Sequence, residues 1–199
     1  MGSKAKYAKQ WILEKNIMTT TKKYSIIYSD PPWKYKWGDG GNLAPETHYP
    51  TLSVDELGKL DVKSLRDKNC VLALWATCPA LPEALRVMDL WGFKYKTILH
   101  NWVKIRKDGV PIMGMGSYTR SGSELLILGM RGHIKRLGTD VVIPQVIMQS
   151  RRAHSQKPDV VRENLIRLFG DLPRIELFAR TKTEGWDVWG NEITNDIEI

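Results

Sequence analysis

Asp30-Pro31-Pro32-Trp33 places a carboxylate, two prolyl carbonyls and an indole on four consecutive residues. That set suits chemistry on the exocyclic amine of adenine. The amine lone pair is delocalised into the ring until acceptors hold both N–H groups and turn it out of the plane. Asp30 can accept one of those bonds and the Pro31 carbonyl the other, its direction fixed because proline locks φ on both sides of the peptide. Trp33 offers a flat face for the base, and stacking on an aromatic contributes roughly 1–3 kcal/mol. Asp-Pro-Pro also makes an ordinary turn, so the reading depends on the rest of the chain.

A second stretch of chemical interest is His154-Ser155-Gln156-Lys157-Pro158-Asp159. Pro158 suits the first turn of a helix, and Val161, Leu165, Leu168 and Phe169 recur at helical spacing before Gly170. Lys157 therefore stands at a helix amino terminus, where its charge opposes the local dipole and calls for an anionic partner, which the carboxylate of a bound amino-acid moiety would provide. Arg174-Ile175-Glu176-Leu177-Phe178-Ala179-Arg180 follows as a short strand ending in charge, and Trp186 to Glu192 closes the chain.

Elements must carry these groups. Tyr24–Ser29 reads as a buried strand stopped by the two prolines, and a strand end of this kind at the carboxyl edge of an α/β sheet faces the ligand crevice. Lys34 to Pro50 is glycine-rich and patternless, the character of a flap over the site. Ser53 with Glu56 forms a capping box for a helix over Val54–Leu60. Asn69–Thr77 is continuously apolar, as a central parallel strand covered on both faces would be. A helix is expected over Pro79–Trp91, with Leu81, Leu85, Met88 and Leu90 on its apolar side and Gly92 past its end. Thr97–Val103 and Leu125–Gly129 read as further strands. Strands alternating with helices give a single doubly wound, Rossmann-like α/β sheet.

Between the last two strands, Arg106 to Gly122 carries Gly109, Gly114, Gly116 and Gly122 without the strand-to-helix context of a phosphate loop. It reads as a second flexible flap. Lys104, Arg106, Lys107 and Arg120 make it basic, which suits contact with a nucleic-acid backbone, with Lys104 and Arg120 as substrate-binding candidates. Arg131, His133, Lys135, Arg136, Arg151 and Arg152 add to the positive charge.

The 199 residues allow one well-buried domain, here 24–199, preceded by an extension over 1–23. Neither an apolar run of membrane length nor a signal-peptide core is evident, so a cytoplasmic location is expected, with no membrane partner. Cys70 and Cys78 lack metal-ligand spacing, and no metal is expected. A net charge of +8 favours a polyanionic partner without separating DNA from RNA.

The Asp30–Trp33 tetrapeptide resembles the catalytic motif of amino-N6 adenine methyltransferases, and the surrounding sequence over roughly residues 24–193 is similar to the MT-A70 family. The resemblance implies S-adenosylmethionine as cofactor and a circularly permuted methyltransferase fold, because the catalytic turn precedes the cofactor-binding strand. It carries catalysis to Asp30, Pro31, Pro32 and Trp33. It assigns cofactor contacts to Asp30, Lys157, Glu176, Phe178, Arg180, Asn191 and Glu192, the last standing where the family has glutamine. It sets Tyr49 and Glu124 near the target nucleoside. Methylation of adenine N6 in DNA is the favoured expectation. RNA, a catalytically silent nucleic-acid-binding subunit, and a protein or small-molecule amine are the alternatives, with a homo- or hetero-dimer as a further expectation.

Overall fold

The computed structural model describes residues 21–34, 51–116, 118–137, 142–151 and 156–199. Tyr49, the 35–50 loop, Arg152 and His154 lie outside the described residues. β1 (Tyr24–Ser29) is buried at every position, and its β-branched and aromatic side chains fill both faces of the pleat. Fully burying one aliphatic side chain of this size contributes about 1.5–3 kcal/mol. β1 lies between β2 (Arg66–Thr77) and β6 (Arg174–Leu177), parallel to both.

The sheet runs β5-β3-β4-β2-β1-β6-β7, completed by β3 (Lys94–Ile105), β4 (Ser123–Arg131), β5 (Val146–Ser150) and β7 (Asp187–Trp189). β4 is antiparallel to both its neighbours, whereas every other pairing is parallel. β2 is thus central and covered as expected, but parallel only toward β1. One core packs α1 (Val54–Gly58), α2 (Val62–Leu65) and α3 (Leu81–Leu90) together with inward residues of the sheet. The other packs α4 (Val160–Phe169) through Val161, Leu165, Leu168 and Phe169. Helices enclosing a mostly parallel sheet make this a Rossmann-like α/β fold.

The chain leaves β1 toward β2 on one side, while β6 and β7 extend the sheet on the other. Order reverses between β1 and β6, and in open α/β sheets the ligand crevice lies outside the carboxyl ends at such a point. Asp30 follows β1 there and Phe178 follows β6.

Local differences from the sequence-based expectations have local causes. α3 begins at Leu81 after a 3-10 turn over Cys78–Ala80 and buries Ala84, Val87 and Met88. Leu85 and Leu90 remain 37% exposed, because the helix buries the stripe through Ala84, Val87 and Met88 instead. α4 starts at Val160, so Pro158 stands just ahead of it. β5 and β7 have no clear sequence signature, being short and, in β5, half-exposed. β5 is tied to β3 by Trp102 Nε1–H donating to Gln149 O at 2.9 Å. Buried His100 adds to this join, its Nδ1 3.4 Å from Gln145 O and its Nε2 3.3 Å from Asn164 Nδ2. Burial lowers the pKa of His100.

The capping box of α1 is present in both directions, with Glu56 N–H donating to Ser53 Oγ at 3.3 Å and Ser53 N–H to Glu56 Oε2 at 2.9 Å. Ser53→Ala is expected to cost about 1 kcal/mol. For a chain of this length that lowers Tm by about 2–4 °C in a thermal melt.

Candidate active site

The two stretches singled out in the sequence meet. Lys157 Nζ donates to Asp30 Oδ2 at 2.6 Å, although the residues are 127 positions apart. The anion expected beside Lys157 was a bound amino-acid carboxylate; the protein's own Asp30 and Glu124 stand there, the ammonium also lying 3.3 Å from Glu124 Oε2. Lys104 pairs with the other Glu124 oxygen. Glu124 reaches this point because β4 is reversed, which brings the beginning of that strand to the edge where β1, β2 and β3 end. Lys157 sits 5.6 Å from the Trp75 ring centroid and Lys104 5.1 Å from that of Trp102. The side chain of Lys157 is 8% exposed, while that of Asp30 keeps 26% and is the part of the pair open to a ligand.

Electrostatics follow from this geometry. Burial raises the Asp30 carboxyl above its ordinary range and the nearby Glu124 adds to that, with Lys157 opposing. Burial alone would raise Glu124 as well, but Lys157 and Lys104 hold it below its ordinary value. Burial would lower Lys157, and Asp30 with Glu124 more than offset this, so it stays cationic. The arrangement is a four-membered cluster of two acidic and two basic side chains, of which Asp30 is the most exposed. Among the described residues, Asp30 Oδ1 accepts no hydrogen bond.

The turn itself is pinned by backbone bonds. Trp33 N–H donates to Pro31 O at 2.9 Å, and Leu52 N–H donates to Pro32 O at 2.8 Å across a parallel bridge between Trp33 and Leu52. The Pro31 carbonyl keeps a second lone pair for another donor, whereas Pro32 serves the bridge. Trp33 departs from the stacking face expected of it. It is 6% exposed, packs in the core and donates its indole N–H to Trp75 O at 2.9 Å, holding the turn against β2. A groove of about 510 Å³ is lined by Lys34, Ser53, Val54, Asp55, Pro82, Glu83 and Arg86. None of the Asp30–Lys157 cluster lines it, so the chemistry of the cluster lies elsewhere.

At the end of β6, Glu176 is buried with both oxygens accepting from Arg162, at 2.7 and 2.8 Å. Arg162 lies over the Tyr28 ring at 5.3 Å, and Trp75 Nε1–H donates to the Tyr28 hydroxyl at 2.7 Å. Burial pushes the Tyr28 phenol well above its ordinary value. Burial also raises the Glu176 carboxyl against the pull of Arg162, with Asp30 adding to the rise, which couples the two halves of the crevice. Phe178 takes a left-handed φ of 62° directly after β6 and meets Trp189 edge-on at 5.3 Å. Such backbone strain, about 1–3 kcal/mol, is typical of functional positions. A Cβ at Gly190 would come within 2.0 Å of Ala179 O, so only glycine lets the following segment pass this close to the end of β6. Arg180 and Glu192 approach to 3.8 Å there, and Asn191 is exposed beside them.

Asp30, Lys157, Glu124 and Lys104 are therefore gathered into one cluster, with Glu176, Phe178, Arg180, Asn191 and Glu192 around the neighbouring strand end. Arg120 is exposed and stands apart, on the excursion between β3 and β4. Sequence reasoning missed Arg162, Trp75 and Tyr28. An arginine in the first turn of the apolar-faced helix and a tryptophan inside an apolar strand were the available signals.

The fold is consistent with a Rossmann-like methyltransferase. Residues 24–192 match the MT-A70 family model, and the chain belongs to the MT-A70 family. It is 35% identical to the Type II methyltransferase M.MunI of Mycoplasma sp over 196 residues, 89% of this chain and 82% of that protein. It is 30% identical to the N(6)-adenosine-methyltransferase MT-A70-like protein of Drosophila melanogaster, across 94% of this chain and 30% of that protein. Identity to the N6-methyladenosine RNA methyltransferase MTA1 of Pyricularia oryzae is 26%, across 89% of this chain and 49% of that protein. The chain is an S-adenosylmethionine-dependent adenine-N6 methyltransferase. Its residues fit that cofactor. Ser29 Oγ, one residue before Asp30, is buried without a hydrogen-bond partner among the described residues, the condition a bound polar ligand relieves. Among the described residues no helix is long and apolar enough to cross a membrane.

Proposed function

We propose that the enzyme methylates adenine N6 in DNA, with Asp30 and the Pro31 carbonyl as the acceptors that orient the amine. The single observation carrying the assignment of roles is the accessible Asp30 carboxylate held by buried Lys157 at 2.6 Å. Support for DNA comes from coverage: the chain spans 82% of the Type II methyltransferase M.MunI and half or less of the adenosine enzymes. The RNA reading is the second one, favoured by the likeness to the fungal N6-methyladenosine RNA methyltransferase MTA1.

S-adenosylmethionine, when bound, supplies a methyl group already activated by its sulfonium. The protein contributes alignment and electrostatics for an in-line displacement. Asp30 Oδ1 accepts one amine N–H and the free lone pair of Pro31 O the other. An ammonium has three donors; Asp30 and Glu124 take two from Lys157, and the third would serve the carboxylate of the cofactor's amino-acid moiety. Glu176 and Phe178 would border the cofactor's nucleoside, Arg180 and Asn191 would reach its ribose, and Glu192 would stand beside them. Glu124 would border the target nucleoside, and Lys104 sets the Glu124 carboxylate. Arg120 contacts the nucleic-acid backbone. The amine nitrogen, cationic after transfer, loses its proton without a strong base. In a duplex the base must first leave the stack, at a cost of a few kcal/mol.

The deciding measurement is N6-methyladenine formation by wild type on a panel of single- and double-stranded DNA and RNA. Turnover at least about 10-fold faster on DNA, the 1.4 kcal/mol scale of real selectivity, is the expected result. Faster turnover on RNA overturns the DNA reading, and none on any adenine polymer favours a silent binding subunit.

A further inference from the structure

Between β3 and β4 the chain makes an excursion whose shape is specified rather than loose. Lys104 N–H donates to Gly122 O at 2.8 Å, Ile112 N–H to Lys104 O at 2.7 Å, Arg106 N–H to Val110 O at 2.8 Å and Gly114 N–H to Ser121 O at 2.6 Å. A Cβ at Gly116 would meet Thr119 O at 2.0 Å and one at Gly122 would meet Ile112 O at 2.3 Å, so the backbone passes closely at both glycines. The second flap expected from sequence is thus a backbone-bonded hairpin. Its root residues, Lys104 and Glu124, belong to the active-site cluster.

What the hairpin presents is unusual for a surface. Tyr118 is 95% exposed, Met113 80% and Met115 65%, with Arg106, Lys107 and Arg120 exposed on the same excursion. Exposed apolar groups on one excursion mark a candidate contact surface, and a combination of cations and an aromatic is how single strands and unstacked bases are held. A second copy of the chain is disfavoured as occupant, because two chains of net charge +8 would bring like-charged tips together.

We propose that this hairpin is a nucleic-acid wedge, with Tyr118 stacking on a base next to the target adenine and Arg120 on the adjoining phosphate. The inference deepens the reading of the enzyme as one acting on a polynucleotide, and rests on it. Spanning from Glu124 to Tyr118, six residues reach at most about 20 Å, enough to touch neighbouring bases while the target lies at Asp30. The wedge would hold open the position the target adenine leaves.

The test is fluorescence anisotropy of labelled adenine-containing DNA, single- and double-stranded, over a salt series. Tyr118→Ala is expected to raise Kd about 10-fold with the slope of log Kd against log salt unchanged, since stacking releases no counterions. Tyr118→Phe keeps the ring and is expected to bind as wild type does. Arg120→Gln is expected to weaken binding and reduce the slope by about 1. Calorimetric uptake of S-adenosylmethionine by Tyr118→Ala at the wild-type Kd shows that the fold is intact. An unchanged DNA Kd in Tyr118→Ala overturns the wedge, as does a shift from dimer to monomer in light scattering without loss of DNA affinity. Wild type that binds DNA through Tyr118 yet transfers no methyl refutes the catalytic reading and leaves the wedge standing.

Discussion

Asp30→Asn lowers kcat for methyl transfer by roughly 10²–10³-fold, the loss that follows removal of one preorganised electrostatic contact in a water-poor site. The amide keeps the shape of the carboxylate but offers one oxygen. Lys157 claims that oxygen, which turns the NH2 toward the amine it should hold. Affinity for S-adenosylmethionine, read by calorimetry, changes far less, because Lys157 remains paired with Glu124 at 3.3 Å.

The pH dependence carries the same signature. Burial raises the Asp30 pKa above its ordinary 3.8 despite Lys157, so the acid limb of kcat/KM lies above the ordinary carboxylate range. The rate falls as pH drops through the folded-state value. For stability the sign is opposite: a carboxyl raised in the folded state favours folding below its unfolded pKa, and that contribution is lost as pH rises through the folded value. Ionising Asp30 therefore costs stability, and Asp30→Asn is expected to melt no lower than wild type above that value. Full activity in the variant, or an acid limb that persists unchanged in its residual activity, would remove Asp30 from the mechanism.

The second large effect belongs to Lys157. Lys157→Met leaves Asp30 and Glu124 facing each other across an apolar gap, with Lys104 still beside Glu124. Breaking a buried ion pair from one side costs about 3–5 kcal/mol. The partial exposure of Asp30 puts the expectation at the lower end, about 3 kcal/mol. Tm at pH 8 is then about 6–12 °C below wild type, with a parallel loss of S-adenosylmethionine affinity.

In wild type, Glu124 is depressed below its ordinary 4.5, and its stabilisation is lost as pH falls through the folded value. Lys157 is raised above 10.5, and its contribution fades only in strong alkali. Without the lysine, burial and mutual repulsion raise both carboxyls, so the folded variant holds protons more tightly than the unfolded chain. Its stability improves as pH is lowered toward 5, narrowing the gap to wild type. Equal melting of the two proteins at pH 8 would contradict the cluster.

Much of this enzyme could be read along the chain. The β1 run and its double-proline stop are local steric facts, as are the Ser53–Glu56 capping box and the apolar stripe of α4 through Val161, Leu165, Leu168 and Phe169. Each depends on neighbours within a few residues, which is the range that propensity and periodicity describe. The order of the acid-proline turn before the lysine-led helix was likewise legible, and it pointed to the family that the comparison bears out.

Only the tertiary structure decided what those groups touch. Lys157 meets Asp30 because β1 and β6 are neighbours, and Glu124 joins them because β4 runs backward through the sheet. Trp33 is a buried strut rather than an open face, and Glu176 is claimed by an arginine one helix away. Strand order and direction set these partnerships through contacts between residues far apart in the chain, and no pattern within a single element encodes them.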